Sequence, residues 1–261
     1  MSRLAAVAVT RRHLRELKRT PSRSNDLLAW PFIDTILFGS LGVFLSQQLT
    51  GQVDPSFVLS GLFLYHVVFQ SSVALAVGFM SETRDRNLLN LIATPITAAS
   101  YASGLALFGL IKMTIGLSVI VILAQAMFSY NVLDGGWALL SIVALLIVLG
   151  IGLSFCLISL QIRLGQSAEP ITWASIVFIT TISGAFYPVD VLPGFFQPIA
   201  HILPTTHAFA AGRALISGGA FPARDIVITA IGSSVTLALG AAALAWALRS
   251  FRRRGLVTRY S

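Results

Sequence analysis

The chain has 261 residues, of which 56% are hydrophobic and only 11% charged, with a mean hydropathy of +0.83. A soluble domain carries roughly 25% charged residues, so the composition excludes an ordinary water-soluble globule and points to the bilayer as solvent. The formal net charge of +8 does not signal nucleic acid, because the basic residues flank apolar runs and no soluble face interleaves them with base-stacking aromatics.

Residues 1–29 hold Arg3, Arg11, Arg12, Arg15, Lys18, Arg19 and Arg23, with Leu4, Val7, Leu14 and Leu17 recurring at helical spacing. This pattern predicts a cytoplasmic amphipathic helix in the membrane interface; a solvated basic tail is the alternative. The cluster offers no apolar run with a small-residue cleavage site, so no cleavable signal peptide is expected and the first span directs insertion.

That span is expected from Trp30 to Leu49, with Pro31 in its first turn and Trp30 at the interface. Gly51 to Pro55 read as a turn, and Phe57 to Met80 as a second span of about the 20 residues a bilayer needs. Residues 81–102 interrupt the hydropathy with Glu82, Arg84, Asp85, Arg86 and Pro95. A third span follows from Ser103 to Met127, a turn at Asn131 to Gly136, a fourth span from Trp137 to Ile162, and a polar connection from Arg163 to Pro170.

Ile171 to Tyr187 form a fifth span at the lower limit of crossing length. Residues 188–224 contain Pro188, Pro193, Pro198, Pro204 and Pro222 between apolar stretches too brief to cross, which predicts re-entrant or interfacial helices. A sixth span from Asp225 to Leu248 leads to the basic tail Arg249, Arg252, Arg253, Arg254 and Arg259. With both termini inside, fifteen of the eighteen Lys and Arg residues fall on the cytoplasmic side, and the rule relating positive charge to topology then places both termini in the cytoplasm. The expected fold is an all-α membrane protein: an amphipathic helix over 1–29, then a six-span domain over 30–261.

Several chemistries lack their residues. No G-x-x-x-x-G-K-[ST] phosphate loop is present. His13, His66, His201 and His207 are scattered, and the single Cys156 lies in an apolar run, so neither a metal site nor a disulfide framework is expected. No nucleophile, base and paired carboxylates assemble into an enzyme motif.

Two segments carry a family resemblance. Ser81 to Pro95 read SETRDRNLLNLIATP, a charged start, a leucine-rich turn and a Thr-Pro stop; residues 183–213 read SGAFYPVDVLPGFFQPIAHILPTTHAFAAGR. The first resembles the cytoplasmic coupling helix of type 2 ABC transporter permeases, and the second resembles the stretch that in that family forms short re-entrant helices on the extracytoplasmic side. The resemblance implies that Glu82, Arg84, Asp85, Arg86, Leu88 and Leu89 dock on a separate ATPase subunit. It further implies that Pro188, Pro193, Phe195, Phe196, Pro204 and His207 belong to the outer segment. Two permease copies, identical or paired homologues, would join two ATPase copies in the inner membrane. ATP and magnesium would be held by the partner and no cofactor by this chain. The family exports drugs, lipids or polysaccharides, and no motif here selects among them.

A charged side chain within a span costs roughly 2.5 to 3.5 kcal/mol on insertion scales, which makes Asp34 and Lys112 candidates for a polar pathway, alone or as a pair across helices. Snorkelling from a span end is the plainer account. His66 joins them as a pathway candidate or a packed core histidine. Gly39, Gly42, Gly61, Gly150 and Gly152 permit close helix approach, and Phe195, Phe196 and Phe209 suit an interfacial anchor or a lipid-facing wedge. The rival from another class is a gradient-driven secondary carrier using Asp34, His66 or Lys112 as its coupling group.

Overall fold

The computed structural model describes residues 2–19, 21–48, 55–84 and 98–254. Within them the chain is helical throughout, with nine α-helices and no strand. These are α1 (Ser2–Arg19), α2 (Pro21–Gln48), α3 (Pro55–Arg84), α4 (Ala98–Phe128), α5 (Gly136–Leu164), α6 (Glu169–Ile182), α7 (Gln197–Ile202), α8 (Pro204–Ile216) and α9 (Ala223–Arg254). Short 3-10 turns at Val132–Gly135, Gly165–Ala168 and Val189–Val191 join them.

Five helices contain stretches long and apolar enough to cross a membrane: Leu27–Gln48, Pro55–Met80, Ser100–Phe128, Val132–Leu164 and Ala223–Ser250. The expected fifth span is a shorter apolar helix, Glu169–Ile182, about 21 Å long at 1.5 Å per residue. It stops at Ile182 rather than Tyr187 because Ser183 caps it and Gly184 follows at φ +69°, the left-handed conformation that ends helices. The first span also starts differently. Pro21 opens α2, so Pro31 lies inside the helix rather than in its first turn. Its backbone disruption is accompanied by the Thr35 hydroxyl, which donates to the Pro31 carbonyl at 2.6 Å.

Helix α3 is central: 67% of its apolar window is buried, against 17% for α9. It packs against α2, α4, α5, α6 and α8, and α5 in turn packs along α9. One core cluster gathers Phe63, Leu64, Val67, Leu146 and Phe209; another gathers Val73, Leu105, Leu157, Ile176 and Ala247.

Between them runs a layer of small and hydroxyl residues. Ser71 donates to the Val67 carbonyl at 2.7 Å, and Ser154 of α5 bonds the Ser72 carbonyl of α3. Gly150 faces Ser71, while Gly152 and Gly240 bring α5 and α9 together. Dispersion and interhelical hydrogen bonds hold helices together in lipid, and small residues permit the necessary approach.

Helix α1 departs from the expected stripe. Its buried face is Val9, Thr10 and His13, whereas Leu4 is 78% exposed and Val7, Arg11, Arg15 and Lys18 also face outward. The cause is a notch on α4. Gly104 lacks the Cβ that would strike the Ala6 carbonyl and Val9, and the Thr10 hydroxyl lies 2.9 Å from the Gly104 carbonyl. His13 adds a ring contact with Phe108 at 5.3 Å.

Candidate functional site

Among the predicted polar residues, the structure joins Asp34 and His66. His66 Nε2 lies 3.1 Å from Asp34 Oδ2. A carboxylate oxygen accepts, so Nε2 is the donor. The side chain of His66 is 5% exposed and that of Asp34 21%. His66 Nδ1 is buried without a hydrogen-bond partner among the described residues.

Lys112 lies elsewhere. Helices α2 and α4 run side by side in the same direction, since Gly116 faces Pro31 and Phe128 faces Gly39. Lys112 sits one turn before Gly116 and Asp34 almost one turn beyond Pro31, so the two are separated by about 10 Å along the helices. The Lys112 ammonium is 6.0 Å from the centroid of Phe108.

Aromatic rings adjoin the Asp34–His66 pair. Tyr65 meets His66 edge-on at 5.4 Å, and its phenol lies in the field of the Asp34 carboxylate. Phe38 stacks on Phe186 at 4.2 Å; Phe186 reaches Tyr65, Tyr65 reaches Phe69, and Phe69 reaches Trp173 at 6.0 Å. Of this array, only Tyr65 adjoins His66 in the sequence. The i, i+4 spacing of Tyr65 and Phe69 on a helix was the available signal, but nothing local indicates that Phe38, Trp173 and Phe186 converge on it.

The segment after α6 folds into α7 and α8 and is stitched to the long helices. Pro188 precedes the turn Val189–Val191, and Pro204 occupies the first helical position of α8, where its missing N–H costs nothing. His207 Nδ1 lies 2.7 Å from Asp225 Oδ1 at the start of α9, and Nε2 lies 3.0 Å from the His201 carbonyl. Both partners are acceptors, so both bonds form together only when both ring nitrogens carry hydrogen. Ser183 bonds Thr205 through their hydroxyls.

Arg213 donates to the carbonyls of Gly184 at 3.0 Å and Ala185 at 3.2 Å. Its guanidinium also lies 4.2 Å from the Phe57 centroid. Phe195 is 69% exposed and tilts against Phe196 at 4.1 Å. Phe209 is fully buried in the core and serves neither as an anchor nor as a wedge. The helix-approach glycines all find neighbours within the chain: Gly39 at Phe128, Gly42 at Pro55, Gly61 at Ala185.

Of the residues expected to couple to an ATPase, Glu82 and Arg84 belong to the last turn of α3, which continues as helix beyond the expected end at Met80. Asp85, Arg86, Leu88 and Leu89 lie outside the described residues. Among the described residues, no group of three or more His, Cys, Asp or Glu side chains gathers as metal ligands do.

No curated protein matches the chain significantly. A family model described as ABC-2 type transporter matches residues 6–216, from within α1 to the last residue of α8. The matched region takes in four of the five long apolar helices, the Asp34–His66 pair and helices α6 to α8, and the chain belongs to the ABC-2 type transporter family.

Proposed function

We propose that this chain is the permease of an ATP-driven exporter, carrying a hydrophobic or amphipathic cargo outward across the inner membrane with ATP hydrolysed by a separate subunit. The observation that carries the reading is the family match over residues 6–216. Two permease copies would frame the pathway between them, in keeping with the two-fold symmetry common in oligomers. Six crossings per copy, with α6 as the fifth and α7 and α8 re-entering from outside, would leave both termini in the cytoplasm.

ATP binding would draw two partner subunits together and push the segment around Glu82 to Ile92. Rigid helices continuous with that segment would rock and change the access of the cavity. α3 is helical through Arg84, which gives such a push a stiff lever into the centre of the bundle. α1 would rest on the anionic cytoplasmic leaflet through Arg11, Arg15 and Lys18.

The test is a pull-down of the tagged chain from gently solubilised membranes, with co-purifying proteins identified and ATP turnover assayed. A soluble partner bearing a phosphate loop supports the reading. A chain that purifies alone and without turnover favours a gradient-driven carrier, for which the Asp34–His66 pair would be the coupling group. Glu82→Ala and Arg86→Ala are expected to lower cargo-stimulated turnover several-fold with the complex intact; unchanged stimulation sinks the coupling role.

A further inference from the structure

Between Val58 and Val73 every residue of α3 is buried except Tyr65, Phe69 and Gln70. This strip is an opening onto the central helix. Helices α2 and α6 both pack on α3 while scarcely touching each other, so they stand as walls of a cleft with that strip as its floor. Phe38 comes from one wall and Trp173 from the other, and Phe186 closes the end beyond α6. Each of these rings is at least partly exposed. The rings form one chain from Phe38 through Phe186, Tyr65 and Phe69 to Trp173, with successive centroids 4.2 to 6.0 Å apart.

One carboxylate borders this floor. Asp34 lies one turn before Phe38 on α2, partly exposed, and its only hydrogen bond among the described residues comes from His66 through Oδ2. That bond occupies one carboxylate oxygen and leaves Oδ1 with no donor among the described residues. The carboxylate's remaining acceptor capacity is open to whatever occupies the cleft. π faces attract cations, most strongly where water is scarce, and an anion in low dielectric amplifies that attraction.

We infer that the cleft between α2 and α6 binds a lipophilic organic cation, with its positive centre at Asp34 and its apolar body on the rings of Phe38, Tyr65, Phe69, Trp173 and Phe186. The inference rests on the permease reading and narrows its cargo. An anionic polymer or phospholipid headgroup would meet repulsion at Asp34. A neutral glycan would use the rings but gain nothing from the charge.

The test uses the full chain in lipid nanodiscs, purified with whatever partner accompanies it, and tetraphenylphosphonium as the probe, with tetraphenylmethane as its neutral counterpart. Saturable binding of the cation, at least tenfold tighter than the neutral probe, is expected; Asp34→Asn should weaken it about tenfold and Asp34→Glu should restore most of it. Trp173→Leu, which keeps the carboxylate, should weaken binding by several-fold and serves as the second variant if Asp34→Asn does not fold. Equal binding of both probes, or indifference to Asp34→Asn and Trp173→Leu, overturns the inference. So does efficient crosslinking between two copies through Phe38→Cys that leaves no cation binding, because a second chain then fills the cleft. Partner ATP turnover, measured separately, keeps the two readings apart: turnover without charge-selective binding rejects the cation and retains the permease.

Discussion

Arg213 shows how much one side chain can hold at one end of the bundle. Its two donors satisfy the carbonyls of Gly184 and Ala185 just after α6, and its plane lies over Phe57 at the start of α3. Arg213→Ala leaves both carbonyls without those donors, and a loss of about 2 to 4 kcal/mol is expected. Arg213→Lys should recover only part, since an ammonium lacks the planar fork. Thermal unfolding in detergent measures both. Gly152 makes a second residue-level case. A Cβ there would lie 2.7 Å from the Leu237 nitrogen and 2.8 Å from its Cα. Gly152→Val must therefore push α9 away from α5, at about 1 to 3 kcal/mol, read in the same assay. The polar residues follow a similar logic: the cost of a charge in a span identified Asp34 from sequence, but its partner His66 lies 32 positions away and only the packing of α2 on α3 reveals it.

At the scale of elements, α1 is a docked helix as well as a basic one. Its contact with α4 depends on the notch at Gly104, so its depth and azimuth are fixed by a neighbour almost a hundred residues away. A Cβ on Gly104 would lie 2.7 Å from both the Ala6 carbonyl and the Val9 Cβ, so Gly104→Val should push α1 off α4 at about 1 to 3 kcal/mol. Thermal unfolding in detergent measures the loss, and an unchanged midpoint means that α1 leaves α4 in the membrane. Periodicity correctly marked α1 as helical, yet it assigned the apolar stripe to Leu4, Val7, Leu14 and Leu17. Hydropathy alone had no means of seeing that a missing side chain on another helix makes Val9, Thr10 and His13 the buried face.

For the whole molecule, the arrangement of α6 decides the topology. If this helix crosses, Ser167→Cys and Phe195→Cys lie on opposite sides, the first cytoplasmic and the second outside. Both positions are exposed, so a membrane-impermeant thiol reagent on intact cells, in a Cys156→Ser background, should label Phe195→Cys alone. Labelling of neither from outside would mean five crossings, with α6 turning back on the cytoplasmic side. The sequence by itself determined the solvent, the helical class and nearly every long element, because the need to satisfy backbone groups in lipid leaves helices as the main option for such apolar runs. It also carried the family resemblance in two short segments. The tertiary structure alone decided that Asp34 meets His66 rather than Lys112, that Phe209 is core, and that five rings from four segments of the chain meet. Those contacts depend on which helices lie side by side and at what height, and a side chain's sequence neighbours do not specify either.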